Sequence, residues 1–203
     1  QMVEDEFGVK LLAVMYLGQR HVNLRQTKEE LTVMTPADLA GVNLRMPGTD
    51  AWQFLGSALG ANPTPMAFTE VYTALQTGSV DGQDNTLPTV VDAKFYEVTN
   101  QIALTSHLVD LNYVAFSKAV WDELSEEQQA TVQSAAEAAA ESGRQAQLEK
   151  EANLVSFLTE QGLEVYEPDL QAFRDHVQGQ YAGSDLAASW PEGVLDKISA
   201  LGN

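Results

Sequence analysis

Short apolar runs alternate with amphipathic segments along most of the chain, which is the pattern of an α/β protein. Residues 10–18 (KLLAVMYLG) are apolar and end at a glycine, which predicts a buried strand of a parallel sheet. The polar residues 19–31 show no period and predict a loop or hairpin, and residues 42–46 (VNLRM) predict a second strand. Further extended or turn segments are predicted at residues 62–66, 79–85, 101–107, 111–118 and 163–167.

Helices are indicated by apolar spacing and by residues that favour helix ends. Trp52, Leu55 and Leu59 have the i, i+3, i+7 spacing of one helix face, which we expect to pack on the second strand. Thr35 followed by Pro36 matches the preferred start of a helix. Helices are therefore predicted at residues 35–41, 49–61, 68–78, 86–98, 168–182 and 190–202.

A much longer helix is predicted in the last third of the chain. Ser125 and Gln128 form a capping box, and the residues that follow are rich in Ala, Glu and Gln with no proline. The apolar period continues to Gln161, which predicts a helix of about 37 residues and about 55 Å that can lie across more than one domain. A coiled coil is less favoured, because the apolar positions are mostly Ala.

Composition excludes several classes of function. The net charge of −18 argues against nucleic acids and anionic membranes as partners, because both require clustered positive charge. The chain has no cysteine, so disulfides, zinc–thiolate sites and a cysteine nucleophile are excluded. No apolar run is long enough to span a membrane, and the first residues do not resemble a secretion signal. We therefore expect no membrane insertion, and any targeting signal to have been removed or never included.

Sequence motifs for catalysis are missing. The chain has no G-x-S-x-G elbow, no phosphate-binding loop and no H-E-x-x-H helix, and its three histidines do not have metal-ligand spacing. A triad of His107, Asp84 and a serine is conceivable, but no serine lies on a tight glycine-flanked turn. The sequence therefore predicts a protein that is not an enzyme and that needs no cofactor.

Four polar residues follow predicted strands, where α/β sheets place their ligand sites. They are Arg20, Arg45, Asn85 and His107. Taken singly, either arginine could form a surface ion pair, Asn85 could be a turn residue, and His107 could be a hydrogen-bonded structural histidine. Together they offer the guanidinium and amide donors that an anionic ligand requires.

Three segments make the family recognisable: LAGVNLRMP, GANPTPMAFTEVYTALQTGSVDGQDN and KFYEVTNQIALTSHLVD. They closely resemble the solute-binding proteins of TRAP (tripartite ATP-independent periplasmic) transporters, and the resemblance runs in order from about Phe7 to the C-terminus. It implies that Arg45 binds the carboxylate of an organic acid with help from Asn85. It also implies that Phe68 packs on the ligand.

The same resemblance assigns a polar network behind the ligand. Arg20 matches a second basic position of the family, and Asp84 and His107 resemble an acid and a histidine that interact with that arginine. Gly48 and the long segment RQTKEEL differ from sialic-acid-binding relatives, which argues against sialic acid as the ligand. The chain also lacks the Glu-Trp pair of a metal-assisted subgroup, so we expect no calcium or other metal.

The resemblance implies a periplasmic binding protein-like fold of two α/β lobes with a long connecting helix. The chain is about a third shorter than such proteins, so the N-terminal part of the first lobe is expected to be missing and apolar sheet surface to be exposed. We assign residues 1–18 and 111–150 to the remainder of the first lobe, including a hinge strand and the start of the long helix. Residues 19–110 and 151–203 form the second lobe.

The expected function is that of a periplasmic component that captures a small organic acid and delivers it to TRAP membrane subunits. A ligand-sensing module for a signalling partner uses the same architecture and stays open as an alternative. An α/β enzyme is the least favoured reading, since no nucleophile is apparent.

The acidity of the chain predicts that salt stabilises it. Screening acts within about 10 Å at 0.1 M salt and relieves the mutual repulsion of the excess negative charges. We expect the melting temperature to rise from low salt to moderate sodium chloride when followed by circular dichroism. A flat or falling dependence would contradict this, and would mean that local ion pairs already compensate the charge.

Overall fold

The computed structural model describes residues 2–188, together with residues 190, 191, 193, 194, 197 and 200. The strands are β1 (Val9–Leu24), β2 (Asn43–Met46), β3 (Asn62–Pro65), β4 (Gly82–Thr86), β5 (Gln101–Ser117) and β6 (Glu164–Tyr166). The α-helices are α1 (Met2–Phe7), α2 (Asp50–Ala58), α3 (Val71–Thr77), α4 (Leu87–Asp92), α5 (Lys118–Glu123), α6 (Glu126–Glu160), α7 (Leu170–Ala182) and α8 (Asp185–Ala188). Short 3-10 helices cover Pro36–Leu39, Phe68–Glu70 and Phe95–Glu97.

The strands of the described chain form a mixed sheet in the order β3-β2-β4-β1-β5-β6. Strand β2 is parallel to β3 and β4, and β6 is parallel to β5. Strand β1 is antiparallel to both of its neighbours, β4 and β5. The α/β class is confirmed, whereas the prediction of a parallel strand at residues 10–18 is wrong.

The predicted loop at residues 19–31 is also wrong in its first part, because β1 continues to Leu24. The polar residues Arg20, His21 and Asn23 are buried inside the strand, where side-chain hydrogen bonds satisfy them. Polarity therefore did not indicate solvent here. It indicated a polar region within the core.

Strand β5 joins two strands that the sequence predicts separately, at residues 101–107 and 111–118. The pairing of β1 with β5 shifts between Arg20↔Leu108 and Val22↔Ala103, so four residues of β5 lie opposite His21. Ser106 takes a positive φ of 47° in this bulge. The bulge keeps one continuous strand while it redirects the side chains of residues 105–107.

Helices cover both faces of the central sheet. On one face Leu44 and Met46 pack with Leu55 of α2 and Phe173 of α7. On the other face a second apolar cluster includes Val71, Leu75, Val90, Ile102 and Leu158, contributed by α3, α4, β5 and α6. The predicted apolar face of α2 is confirmed in part, because Trp52 lies at the edge of this core and is only partly buried.

The long helix is confirmed as α6, with 35 residues and a length of about 52 Å. Ser125 Oγ accepts from the Gln128 N–H at 3.3 Å, and Gln128 Oε1 accepts from the Ser125 N–H at 2.9 Å. The helix predicted at residues 86–98 is instead divided into α4 and a 3-10 turn, because Lys94 takes a left-handed φ of 57°. The helix predicted at residues 190–202 lies largely outside the described residues.

Beyond the central sheet, β1 and β5 continue as a two-stranded ribbon. Leu12 on this ribbon packs with Trp121 of α5 and Ala136 of α6. Apolar side chains of the same ribbon are nevertheless exposed, including Val14 at 52% and Tyr113 at 62%. The ribbon therefore presents the apolar sheet surface that the sequence led us to expect.

In the part of the chain that the structure describes, the helices are all too short or too polar to cross a lipid bilayer.

Helix α6 contacts the ribbon at a bulge around Gly18, which has a φ of +124°. Glu151 Oε1 accepts from the Gln19 N–H at 2.8 Å and Oε2 accepts from the Tyr16 hydroxyl at 2.8 Å. A Cβ at position 18 would lie 2.5 Å from Glu151 Oε1. Glycine is therefore favoured here by its φ, and a Cβ would also displace the Glu151 carboxylate from its hydrogen bonds to Tyr16 and Gln19.

We expect Gly18→Ala to lower the free energy of unfolding by about 3 kcal/mol, through backbone strain and displacement of Glu151. Gly41→Ala is the matched control, because Gly41 also has a positive φ, of +85°, but no atom within 4 Å of the added Cβ. Its cost should be roughly 1 kcal/mol. Urea denaturation measures both, and equal losses would contradict a close helix contact at Gly18.

Candidate functional site

Arg20 and Asp84 form a buried ion pair between β1 and β4. Arg20 Nε donates to Asp84 Oδ2 at 2.6 Å, and Nη2 donates to Asp84 Oδ1 at 3.1 Å and to its backbone oxygen at 2.7 Å. The remaining terminal nitrogen, Nη1, donates to Asp110 Oδ2 of β5 at 2.6 Å. The Trp52 ring of α2 lies 4.5 Å from the guanidinium carbon. One arginine therefore joins three strands and a helix.

His107 completes this network from the bulge in β5. Its Nε2 lies 3.3 Å from Asp84 Oδ2, and its Nδ1 lies 2.7 Å from the Thr105 hydroxyl. Burial alone would raise the pKa of Asp84, but hydrogen bonds from His107 and Arg20 outweigh it and lower this pKa to about 2. Asp84 therefore stays ionised at neutral pH although it is fully buried.

Arg45 lies at the C-terminal part of β2 in a different environment. Its Nε and Nη2 donate to the backbone oxygen of Met66, at 3.0 and 2.8 Å. The Phe68 ring lies 5.9 Å from the guanidinium carbon. Within the described residues, no carboxylate oxygen lies within 4.0 Å of Arg45. Burial lowers the pKa of Arg45, partly offset by the more distant Asp84.

This arginine faces an open cavity of about 520 Å³. The residues lining the cavity come from the ends of β2 and β3 and the turn after β3: Arg45, Pro47, Gly48, Pro65, Met66, Ala67, Phe68 and Glu70. A buried cation beside a cavity, with only a neutral carbonyl as its partner, can form a strong bidentate contact with an incoming anion.

Asn85 lies on the same sheet face as Arg45. Gln83 is the register partner of Arg45 in the parallel pair, and Asn85 follows two residues later on β4. The Asn85 Nδ2 donates to Gln83 Oε1 at 2.7 Å. Asp84, between them, points to the opposite face with Arg20. The strand residues of the predicted site are therefore divided between the two faces of the sheet, with Arg45 and Asn85 on one face and Arg20, Asp84 and His107 on the other. Phe68, the sixth, lies in the 3-10 helix Phe68–Glu70.

The prediction that these residues follow strands is correct only in part. Arg45 and Asn85 are at the ends of β2 and β4, but Arg20 and His107 lie inside β1 and β5. They lie near Asp84 because β1 and β5 are long strands that run past the end of β4, and because the bulge in β5 turns His107 towards it. Sequence reasoning also missed Trp52, interpreted only as core, and Asp110, for which the sequence offered no distinct signal.

Asp84, His107 and Thr105 form a row of carboxylate, imidazole and hydroxyl, which resembles the arrangement of a hydrolytic triad. The carboxylate is committed to Arg20, and Thr105 is only 3% exposed. The third position of this row is occupied by a threonine and not by a serine, as a Ser-His-Asp triad would require. Among the described residues, no group of three or more His, Asp or Glu side chains could hold a metal ion.

The sequence profile of bacterial extracellular solute-binding protein, family 7, matches residues 1–185. The chain belongs to this family. The members that it resembles are periplasmic solute-binding proteins of TRAP transporters. The family match therefore confirms the resemblance to TRAP solute-binding proteins that the sequence motifs indicated, and the similar solved structures confirm the α/β fold.

Individual relatives support the same family. The chain is 36% identical to the sialic acid-binding periplasmic protein SiaP of Vibrio cholerae over 99% of its own length and 62% of that protein. A TRAP solute-binding protein of Roseobacter denitrificans, crystallised with 3-deoxy-D-manno-oct-2-ulosonic acid (KDO), is 83% identical with a TM-score of 0.96, over 98% of this chain and 66% of that chain. Another from the same species, crystallised with L-galactonate, is 32% identical with a TM-score of 0.84, over 100% of this chain and 64% of that chain. This family-7 chain thus spans about two thirds of the length of these relatives.

The buried histidine of β1 makes the stability of this family-7 chain dependent on pH. His21 Nδ1 accepts from the Ser106 N–H at 3.2 Å, and burial, together with the nearby His107, lowers the pKa of His21 to about 4. In the unfolded chain His21 is protonated near pH 6.5, whereas in the folded chain it stays neutral down to about pH 4. Its contribution to the free energy of unfolding is therefore fully present above pH 6.5 and is lost as the pH falls towards 4. The loss amounts to about 3 kcal/mol.

We expect His21→Asn, which keeps an acceptor near the Nδ1 position, to flatten the stability curve between pH 6.5 and 4. His176→Gln on the exposed side of α7 is the control and should leave the curve unchanged. Asp84 acts in a separate window, since its lowered pKa means that its contribution is lost only between about pH 4 and 2. Urea denaturation across this pH range gives the curves, and an unchanged slope in His21→Asn would contradict the assignment.

Proposed function

We propose that this chain is the larger part of the solute-binding component of a TRAP transporter, and that it binds a sugar acid through its carboxylate. The observation that carries this proposal is Arg45, a buried guanidinium at a strand end that faces a cavity. It donates to the Met66 carbonyl, lies near the Phe68 ring and forms no ion pair within the described residues. Guanidinium binds carboxylate through two parallel hydrogen bonds. The Phe68 ring offers an apolar surface against which the carbon chain of the ligand can pack.

The favoured ligand is KDO or a close analogue of it. The Roseobacter denitrificans protein that holds KDO is 83% identical to this chain over the aligned residues, which make up 66% of that protein. Other structural neighbours hold L-galactonate, galacturonate and glucuronate, which are also hydroxylated carboxylic acids. Sialic acid is the competing ligand, from the 36% identical Vibrio cholerae protein.

The two-lobe division at residues 1–18 and 111–150 against 19–110 and 151–203 remains part of the proposal. The ribbon of β1 and β5 has its own small apolar cluster around Leu12 and Trp121, separate from the two clusters of the central sheet. Two of the three register shifts of β1 lie where the ribbon joins the central sheet, at Tyr16/Gly18 and Arg20/Val22, and the third lies within the ribbon at Leu11/Ala13. Bulged positions of this kind are suitable points for one lobe to turn relative to the other.

The remaining features of the proposal concern partners and location. The ligand would be delivered to TRAP membrane subunits from the periplasm, where the relatives' names place them. The family is a transport component and not a class of enzymes, and the Thr105 hydroxyl is too buried to serve as a nucleophile.

Recovery of unchanged ligand after incubation would support binding without catalysis. A sensing role would instead be favoured if the neighbouring genes encode a histidine kinase and do not encode transporter subunits.

The test is titration calorimetry of the full-length protein with KDO, L-galactonate and sialic acid. Arg45→Lys keeps the charge but loses the paired N–H groups, so affinity for KDO should fall about ten- to a hundredfold. Thermal unfolding without ligand should change little, because Arg45 has no ion pair among the described residues. Arg144→Lys is the control, since Arg144 lies on the exposed side of α6.

Absence of binding to every hydroxylated acid in the series would overturn the proposed function. Binding that Arg45→Lys leaves unchanged would assign the carboxylate to another residue. A large fall in the melting temperature of Arg45→Lys would show that Arg45 stabilises the fold and is not reserved for a ligand.

A further inference from the structure

A row of buried amide side chains leads from the candidate site across the sheet. Asn85 Nδ2 donates to Gln83 Oε1 at 2.7 Å, and Gln83 Nε2 donates to Asn23 Oδ1 at 3.0 Å. Asn23 Nδ2 in turn donates to the backbone oxygen of Gln101 at 2.9 Å. Asn23 and Gln83 are fully buried, and Asn85 is 6% exposed at the sheet edge. We call Asn85, Gln83 and Asn23 the amide row.

The direction of every hydrogen bond in the amide row follows from its last member. A backbone carbonyl can only accept, so Asn23 must turn its NH₂ group to Gln101 and its oxygen to Gln83. Gln83 must then turn its NH₂ group to Asn23 and its oxygen to Asn85. Reversal of any single amide would place two acceptors or two donors together in a site without solvent.

We propose that Gln83 and Asn23 are positioning residues that fix the orientation of the Asn85 amide for ligand binding. This inference rests on the proposed function, since Asn85 lies on the sheet face of Arg45. With one N–H committed to Gln83, Asn85 keeps one N–H and its oxygen for a ligand. One donor and one acceptor on the same sheet face as a guanidinium match an acid that carries a hydroxyl group close to its carboxylate. They do not match a carboxylate alone.

A purely structural role for the amide row is the alternative, because buried polar groups must be satisfied in any case. The side chain of Gln101 provides a matched comparison. It is as buried as Gln83, and it bonds to the backbone oxygens of Gln26 and Leu31 and to the Tyr166 hydroxyl. Its side chain does not bond to the amide row, which uses only its backbone oxygen.

The experiment compares Gln83→Met and Gln101→Met in the full-length protein, by urea denaturation and by calorimetry with KDO. Both substitutions keep the length of the side chain and remove its polar atoms, so both should lower stability. Only Gln83→Met releases the Asn85 amide, and we expect its affinity for KDO to fall about three- to tenfold. Gln101→Met should bind KDO as the unaltered protein does, at a temperature where both are folded.

Asn85→Ala and the double variant Gln83→Met/Asn85→Ala complete the design. If Gln83 acts through Asn85, the double variant should bind KDO no more weakly than Asn85→Ala alone. Additive losses, or an equal loss in Gln101→Met, would overturn the positioning role. No binding of any hydroxylated acid by the unaltered protein would be a failure of the proposed function instead.

Nuclear magnetic resonance of the unaltered protein gives a second measurement, should Gln83→Met fail to fold. Fixed orientation requires an NOE between the Asn85 Hδ2 protons and the Gln83 Hγ protons, with one Hδ2 proton protected from exchange. Rapid solvent exchange of both Asn85 Hδ2 protons would overturn the inference without any variant. An NOE pattern that corresponds to the reversed amide would do the same.

Discussion

The buried ion pair of Arg20 and Asp84 is the interaction on which the arrangement of the sheet edge depends. Both groups are taken out of water, and such a pair is favourable only where its geometry is good and the remaining hydrogen bonds are made. Here those bonds come from three strands, because Arg20 also binds Asp110 and Asp84 also contacts His107. The strands β1, β4 and β5 are thereby held in one relative position at the edge that carries the candidate site.

The bulges in the long strands are the structural consequence of this requirement. A regular β5 would alternate its side chains and pair one residue with His21, whereas the bulge brings His107 to Asp84. The bulge of β1 at Gly18 allows Glu151 of α6 to bind the Gln19 N–H, one residue before Arg20. The long helix is therefore tied to the same strand segment as the ion pair.

The two arginines of the site have opposite electrostatic situations. Arg20 is neutralised by two carboxylates within the protein, so its charge is used to hold strands together. Arg45 contacts a carbonyl and an aromatic ring, which leaves most of its charge available to a ligand. In a protein of net charge −18 the general field repels anions. The proposed binding of an acid would therefore depend on local geometry, for which Arg45 is the candidate contact.

Local patterns in the sequence were sufficient for features whose cause is local. The capping box at Ser125 and the unbroken Ala-rich helix depend on residues within a few turns of one another, and the structure contains both. The apolar face of α2 is equally local and is present in part. The family resemblance also named the six candidate site residues, since it reflects complete motifs, and their roles in binding stay predictions. The direction of β1, the continuity of β5 and the burial of residues 20–24 could not be read in this way. They depend on hydrogen-bond partners 60 to 90 residues distant, as in Arg20 with Asp84 and Asp110. Only the tertiary structure brings those partners together, and it alone makes a polar segment part of the core.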